Sequence, residues 1–153
     1  MKNLVLIIIA SLSFGSLYGQ NALSFSEAEE QGIIRKTLDS LYCNAMDDGS
    51  GNFVFENKEE VMEAWTKMLT DISSFLFRKA EIKNIEVKLF QRVYFNKEGK
   101  IDYLLYNIRN KDDVTEEQLQ QVIDVLNEFV KDYQFSLSAD RDFVQCGTAI
   151  FSK

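Results

Sequence analysis

Cys43 and Cys146 are the only thiols in a 153-residue chain that has no histidine and no proline. A nucleophilic cysteine needs a base or a cationic setting to hold it as thiolate. The commonest such base is missing here, and neither residue lies in a Cys-x-x-Cys pair. A thiol enzyme working through Cys146 is therefore only a third reading. Two pairs of adjacent acids, Asp47 with Asp48 and Asp112 with Asp113, offer carboxylates. Glycoside cleavage, however, needs two carboxyl groups across a cleft, and adjacent acids in loops are ordinarily solvated. The run from Asp47 to Asn52 (DDGSGN) looks superficially like a calcium loop. Its glycines fall where oxygen ligands are needed, and no Glu stands at the twelfth position. Gly, Asp and Asn in a cluster are turn chemistry. Phosphate-binding glycine loops, nucleophile elbows and zinc-ligand spacings are not found. The sequence points away from catalysis: no catalytic, cofactor-binding or metal-binding residue is expected.

The elements around these residues are organised on residues 87–108, VKLFQRVYFNKEGKIDYLLYNI. Two strand-like runs flank Asn96-Lys97-Glu98-Gly99, and a turn ending in glycine at positive φ closes a short hairpin. In the simplest register Phe95 faces Ile101 and Val93 faces Tyr103. The opposite side then carries Phe90, Arg92 and Tyr94 together with Asp102, Leu104, Tyr106 and Ile108. Both sides are rich in apolar or aromatic residues, so both need covering. Phe90, Tyr94, Leu104 and Tyr106 are the candidate interaction face, with a free strand edge as the other candidate contact. The alternative is cover from within the chain, by a first helix on that side.

Residues 24–46 read as one helix with a Ser26/Glu29 capping box, and residues 57–79 as a second, capped by Asn57. The second carries a broad apolar stripe that includes Trp65, Phe75 and Leu76. Thr115 with Gln118 caps a third, whose buried face runs from Leu119 to Tyr133. Residues 143–151 read as a closing strand. These elements predict an α+β domain, three helices on a small antiparallel sheet made from the hairpin 87–108 and strand 143–151. Residues 1–19 have a positive start, an apolar run and small residues near their end, which is a secretory signal peptide. Residues 20–153 then form one exported domain. No cysteine lies near the cut, which argues against a lipid anchor, and the apolar run is short for a membrane span. Export places Cys43 and Cys146 where disulfides persist. A bridge between them would close a loop of about a hundred residues and stabilise by roughly 4–5 kcal/mol. Two free thiols packed as small hydrophobes are the alternative. The formal charge is −7, which becomes −8 once Lys2 leaves with the signal. That balance argues against nucleic acid or anionic lipid as partner.

The run Arg92 to Tyr103, the helix 119–133, the aromatic exit Asp132-Tyr133-Gln134-Phe135 and the strand 143–151 together resemble the C-terminal domain of TonB-type energy transducers. The resemblance covers about residues 87–151. It implies a periplasmic α+β module that contacts outer-membrane transporters, often by adding a strand to an exposed segment. The chain departs from that family in lacking a proline-rich spacer, a clear retained anchor and a Tyr-Pro signature before the first strand. The resemblance therefore implies a TonB-like fold used as a soluble binding module, and carries over no transporter-contact residue.

Two readings follow. The first is an exported, non-catalytic binding or assembly protein of a Gram-negative envelope, periplasmic or secreted, with an envelope or outer-membrane protein as partner. The second is a small-ligand carrier or inhibitor of the cystatin-like or cone-shaped α+β kind, with a pocket lined by Trp65, Phe75, Phe95 and Tyr103. A packed interior would count against it.

Overall fold

The hairpin forms, but with one residue more than its simplest register allows. In the computed structural model, which describes residues 21–79 and 85–152, its strands are β3 (Glu86–Phe95) and β4 (Ile101–Ile108). Gly99 sits at φ +84°, donating its N–H to the Asn96 carbonyl at 2.8 Å. A Cβ there would lie 2.8 Å from the Leu137 carbonyl oxygen and 2.9 Å from that of Phe135, so glycine is required twice over. Phe95 pairs with Ile101 as expected. The register then shifts, so that Tyr94 pairs with Tyr103 and Val93 with Leu104. Asp102 is the extra residue of a β-bulge. Because side chains alternate with period two, one inserted residue sends the rest of β4 to the opposite face.

Three further strands complete the sheet. β1 (Asn21–Ser24) runs parallel to β4, β2 (Cys43–Asn44) runs parallel to β5, and β5 (Phe143–Ser152) lies antiparallel along the whole of β3. The order is β1-β4-β3-β5-β2. The fold is α+β as expected, but the sheet is five-stranded and mixed rather than small and antiparallel. Among the described residues four α-helices accompany it: α1 (Phe25–Glu30), α2 (Arg35–Leu41), α3 (Lys58–Lys79) and α4 (Glu116–Asp132).

The expected single helix over residues 24–46 is thus two short helices. Gly32, at φ +77°, follows α1, and the chain turns there. The capping box belongs to Ser24 and Glu27 rather than to Ser26 and Glu29: Glu27 N donates to Ser24 Oγ, and Ser24 N donates to Glu27 Oε2 at 2.8 Å. The other two caps form where the sequence placed them. Asn57 Oδ1 accepts from Glu59 and Glu60 N–H groups, and Thr115 and Gln118 make a reciprocal pair.

The long helices α3 and α4 lie on one face of the sheet. Val61, Trp65, Met68, Ile72 and Leu76 of α3, with Val122, Leu126 and Val130 of α4, pack on Val87, Leu89, Val93, Phe95, Leu104 and Tyr106. Each such side chain, fully buried, contributes about 1.5–3 kcal/mol. The second face carries a smaller cluster of Ala28, Leu38, Tyr94, Leu105 and Val144, with α1 and α2 laid over it. The predicted signal segment, residues 1–19, lies outside the described residues.

Candidate docking edge

The four residues expected to form one interaction face do not share a face. Phe90 and Tyr94 lie on the α1–α2 side, whereas the bulge at Asp102 turns Leu104 and Tyr106 under α3 and α4, where they are buried. Phe90 is half-buried, stacked on Phe25 at 5.8 Å with the Arg109 guanidinium 5.6 Å from its ring centre. Tyr94 is fully buried. Its hydroxyl donates to Asp39 Oδ1 at 2.8 Å, and the same oxygen accepts from Arg92 Nε at 2.9 Å and Arg92 Nη2 at 2.8 Å. This group pins α2 to the sheet. On the other side of the bulge, Tyr42 donates its hydroxyl to Asp102 Oδ2 at 2.8 Å.

The ionisable groups in this layer are held neutral or are paired. Burial pushes the Tyr42 and Tyr94 phenols well above their ordinary range, with the hydrogen bonds to Asp102 and Asp39 adding to it. On the opposite face, burial pushes Tyr106 up to about 12. Burial also raises Asp102, against the opposing effect of the Tyr42 hydrogen bond. Phenols in this state act as hydrogen-bond donors. The arrangement fastens the short helices down, and it lets the chain cover part of its own second face.

The two cysteines are free. Cys43 is buried on β2 opposite Phe143, and Cys146 is exposed three residues further along β5. Three residues of strand span about 10 Å. That exceeds the Cα separation a disulfide tolerates, so the expected bridge between them is not made. The expected carrier pocket is not assembled either. Trp65 and Phe95 are buried in the main core, Tyr103 belongs to the opposite face, and Phe75 lines a groove between α3 and α4 with Phe129 and Tyr133. Among the described residues, no group of three or more His, Cys, Asp or Glu is placed to hold a metal ion, and no helix is long and apolar enough to cross a membrane.

What the sequence reading left undefined is the outer edge of β5. β2 covers that edge only at Phe143 and Val144. The last backbone bonds there run from Cys43 N to Asp142 O at 3.0 Å and from Ala45 N to Val144 O at 2.9 Å. Peptide groups of even-numbered residues therefore point outward along β5, and those of odd-numbered residues point to β3. From Cys146 to Ser152 the outward N–H groups meet no backbone partner among the described residues. The segment FVQCGTAIFS holds no charged residue. It also lacks the lysines, prolines and bulges with which edge strands are usually blunted. Its side chains alternate, with Cys146, Thr148 and Ile150 exposed on the second face, Ile150 at 60%.

On the helix side, α3 overhangs the same edge. Trp65 lies over Gly147, where a Cβ would come within 3.1 Å of the indole Nε1. A groove between the two elements is lined by Thr66, Leu69, Thr70, Ser73, Ala149, Ile150 and Phe151. The sequence signal for this edge is an uncharged, β-prone closing segment. Compared with known protein families, with curated proteins and with solved structures, the chain matches none.

Proposed function

We propose that this chain is an exported, non-catalytic binding or assembly module of the cell envelope, which takes its partner by strand addition at the β5 edge. The observation that carries the reading is the row of outward peptide groups from Cys146 to Ser152, which have no backbone partner among the described residues (the Cys146 carbonyl accepts only a long 3.5 Å bond from Gln145 Nε2), on a strand with no charge. Strand addition uses such a row for affinity and the flanking side-chain pockets for selectivity. The groove under α3 supplies a pocket on one side, and the exposed Thr148 and Ile150 supply contacts on the other. The TonB-like order of hairpin, helix and strand supports the same mode of docking.

The test is capture from detergent-solubilised envelope membranes with residues 20–153 as bait, beside an Ile150→Lys bait. A partner retained by the first and lost by the second is expected. Retention by both baits, or by neither, contradicts docking of an envelope protein at this edge. Substitution of Leu104 or Tyr106 is no control, because both support the main core. The carrier reading loses ground for a structural reason: its four pocket residues are divided among the core, the opposite face and a surface groove.

A further inference from the structure

We infer that the β5 edge is occupied by a second copy of this chain, the two β5 strands pairing antiparallel across a two-fold axis to make one ten-stranded sheet. The inference rests on the reading of β5 as a docking edge and names its occupant. A two-fold perpendicular to the sheet brings a strand against itself antiparallel and keeps each face continuous with its counterpart. Residues on the same face must therefore pair with one another.

The open stretch selects one register. Centred on Ala149, Cys146 lies opposite Ser152 of the partner subunit and Thr148 lies opposite Ile150 of the partner subunit. These even-numbered residues carry the outward N–H and C=O groups, so each pair exchanges two hydrogen bonds. Centring on Thr148 would instead bring Ser152 of the partner subunit against Val144, whose carbonyl already accepts from Ala45 N at 2.9 Å. The register on Ala149 fills the open stretch from Cys146 to Ser152 and leaves β2 in place.

Charge permits a second copy at this edge. The chain carries a formal −7, and 27% of its residues are charged, so two copies repel over most of their surface. The region that would meet across the axis is uncharged on both of its elements. β5 contributes FVQCGTAIFS, and α3 contributes the outward stripe Met62, Thr66, Leu69, Thr70 and Ser73. Those α3 positions follow helical spacing, while Glu63, Lys67 and Asp71 fall on another side of the helix. Thr66, Thr70 and Ser73 are small enough to let the two α3 helices approach beside the joined strands.

The experiment is sedimentation equilibrium of residues 20–153 up to about 100 µM, with two variants. Wild type is expected to pass from monomer to dimer, and Ile150→Lys, folded by circular dichroism, is expected to dimerise at least tenfold more weakly. In a Cys146→Ser background, Ala149→Cys places one thiol on the axis in a non-hydrogen-bonded pair, with Cα atoms about 4.5 Å apart. That separation suits a disulfide, so mild oxidation should give a covalent dimer. A wild type that stays monomeric throughout, or a dimer that neither variant perturbs nor crosslinks, overturns the inference. If the chain is monomeric while Ile150→Lys still abolishes capture of an envelope protein, the second copy is refuted and docking at the β5 edge stands.

Discussion

The two edges of the sheet are finished in different ways. At one, β1 is four residues long and runs straight into α1, and the Ala22 N–H that would otherwise face outward is taken by Asn127 Oδ1 of α4 at 3.0 Å. At the other, β5 is ten residues long, and a two-residue strand covers only its start. The first edge is closed with a side chain from a neighbouring helix. Among the described residues the second is left open, and it is uncharged and overhung by a groove. A sheet that needed only to avoid association would have closed both. The difference supports the proposed division, with stability on the β1 side and docking on the β5 side.

Substitutions can break that assignment. The largest effect on stability is expected for Trp65→Ala, which removes the ring that holds α3 over Gly147. Truncating a buried aromatic residue costs about 3–5 kcal/mol, readable in urea unfolding, and docking should be lost with it. Asn127→Ala leaves the partly buried Ala22 N–H without its partner. It should cost about 1–3 kcal/mol while partner capture by the folded protein is unchanged; a loss of capture would show that the β1 edge also docks.

A smaller, pH-dependent effect is expected at Asp102, the bulge residue beside β1. Burial raises its carboxyl pKa in the folded protein, so the folded state holds the proton more tightly than the unfolded state. Its contribution is then greatest below the unfolded carboxylate pKa and is lost as pH rises through the folded value. Asp102→Asn should flatten that slope in urea midpoints measured across the carboxylate range, and an unchanged slope would contradict it. The smallest effect on stability is expected for Ile150→Lys. An exposed substitution should move stability by no more than about 0.5 kcal/mol, yet docking should weaken at least tenfold.

Much of this fold was legible because local chemistry decided it. Gly99, Asn57 and the Thr115/Gln118 box each act within a few residues, and each sits where the sequence placed it. The stripes of α3 and α4 follow from periodicity alone. Other features were not legible because they depend on contacts made far along the chain. The bulge at Asp102 is held by Tyr42, sixty residues away in sequence, and it reverses the sides of Leu104 and Tyr106. β1 exists because β4 offers it a parallel edge, so Asn21–Ser24 carries little strand signal of its own. The separation of Cys43 from Cys146 likewise follows from the register of β2 on β5. The docking edge was half legible: an uncharged strand could be read from residues 143–152, but the topology that leaves it at the border of the sheet could not.

Residue-resolved amide exchange along β5 tests the central claim most directly. In the dilute, unpartnered chain, the amides of Gln145, Gly147, Ala149 and Phe151 should exchange slowly, since they face β3, and those of Cys146, Thr148 and Ile150 should exchange fast. Raising the chain concentration, or adding a captured envelope partner, should slow the second set and leave the first unchanged. Even-numbered amides that are already protected in the dilute chain, or that stay fast when the occupant is bound, would contradict the account.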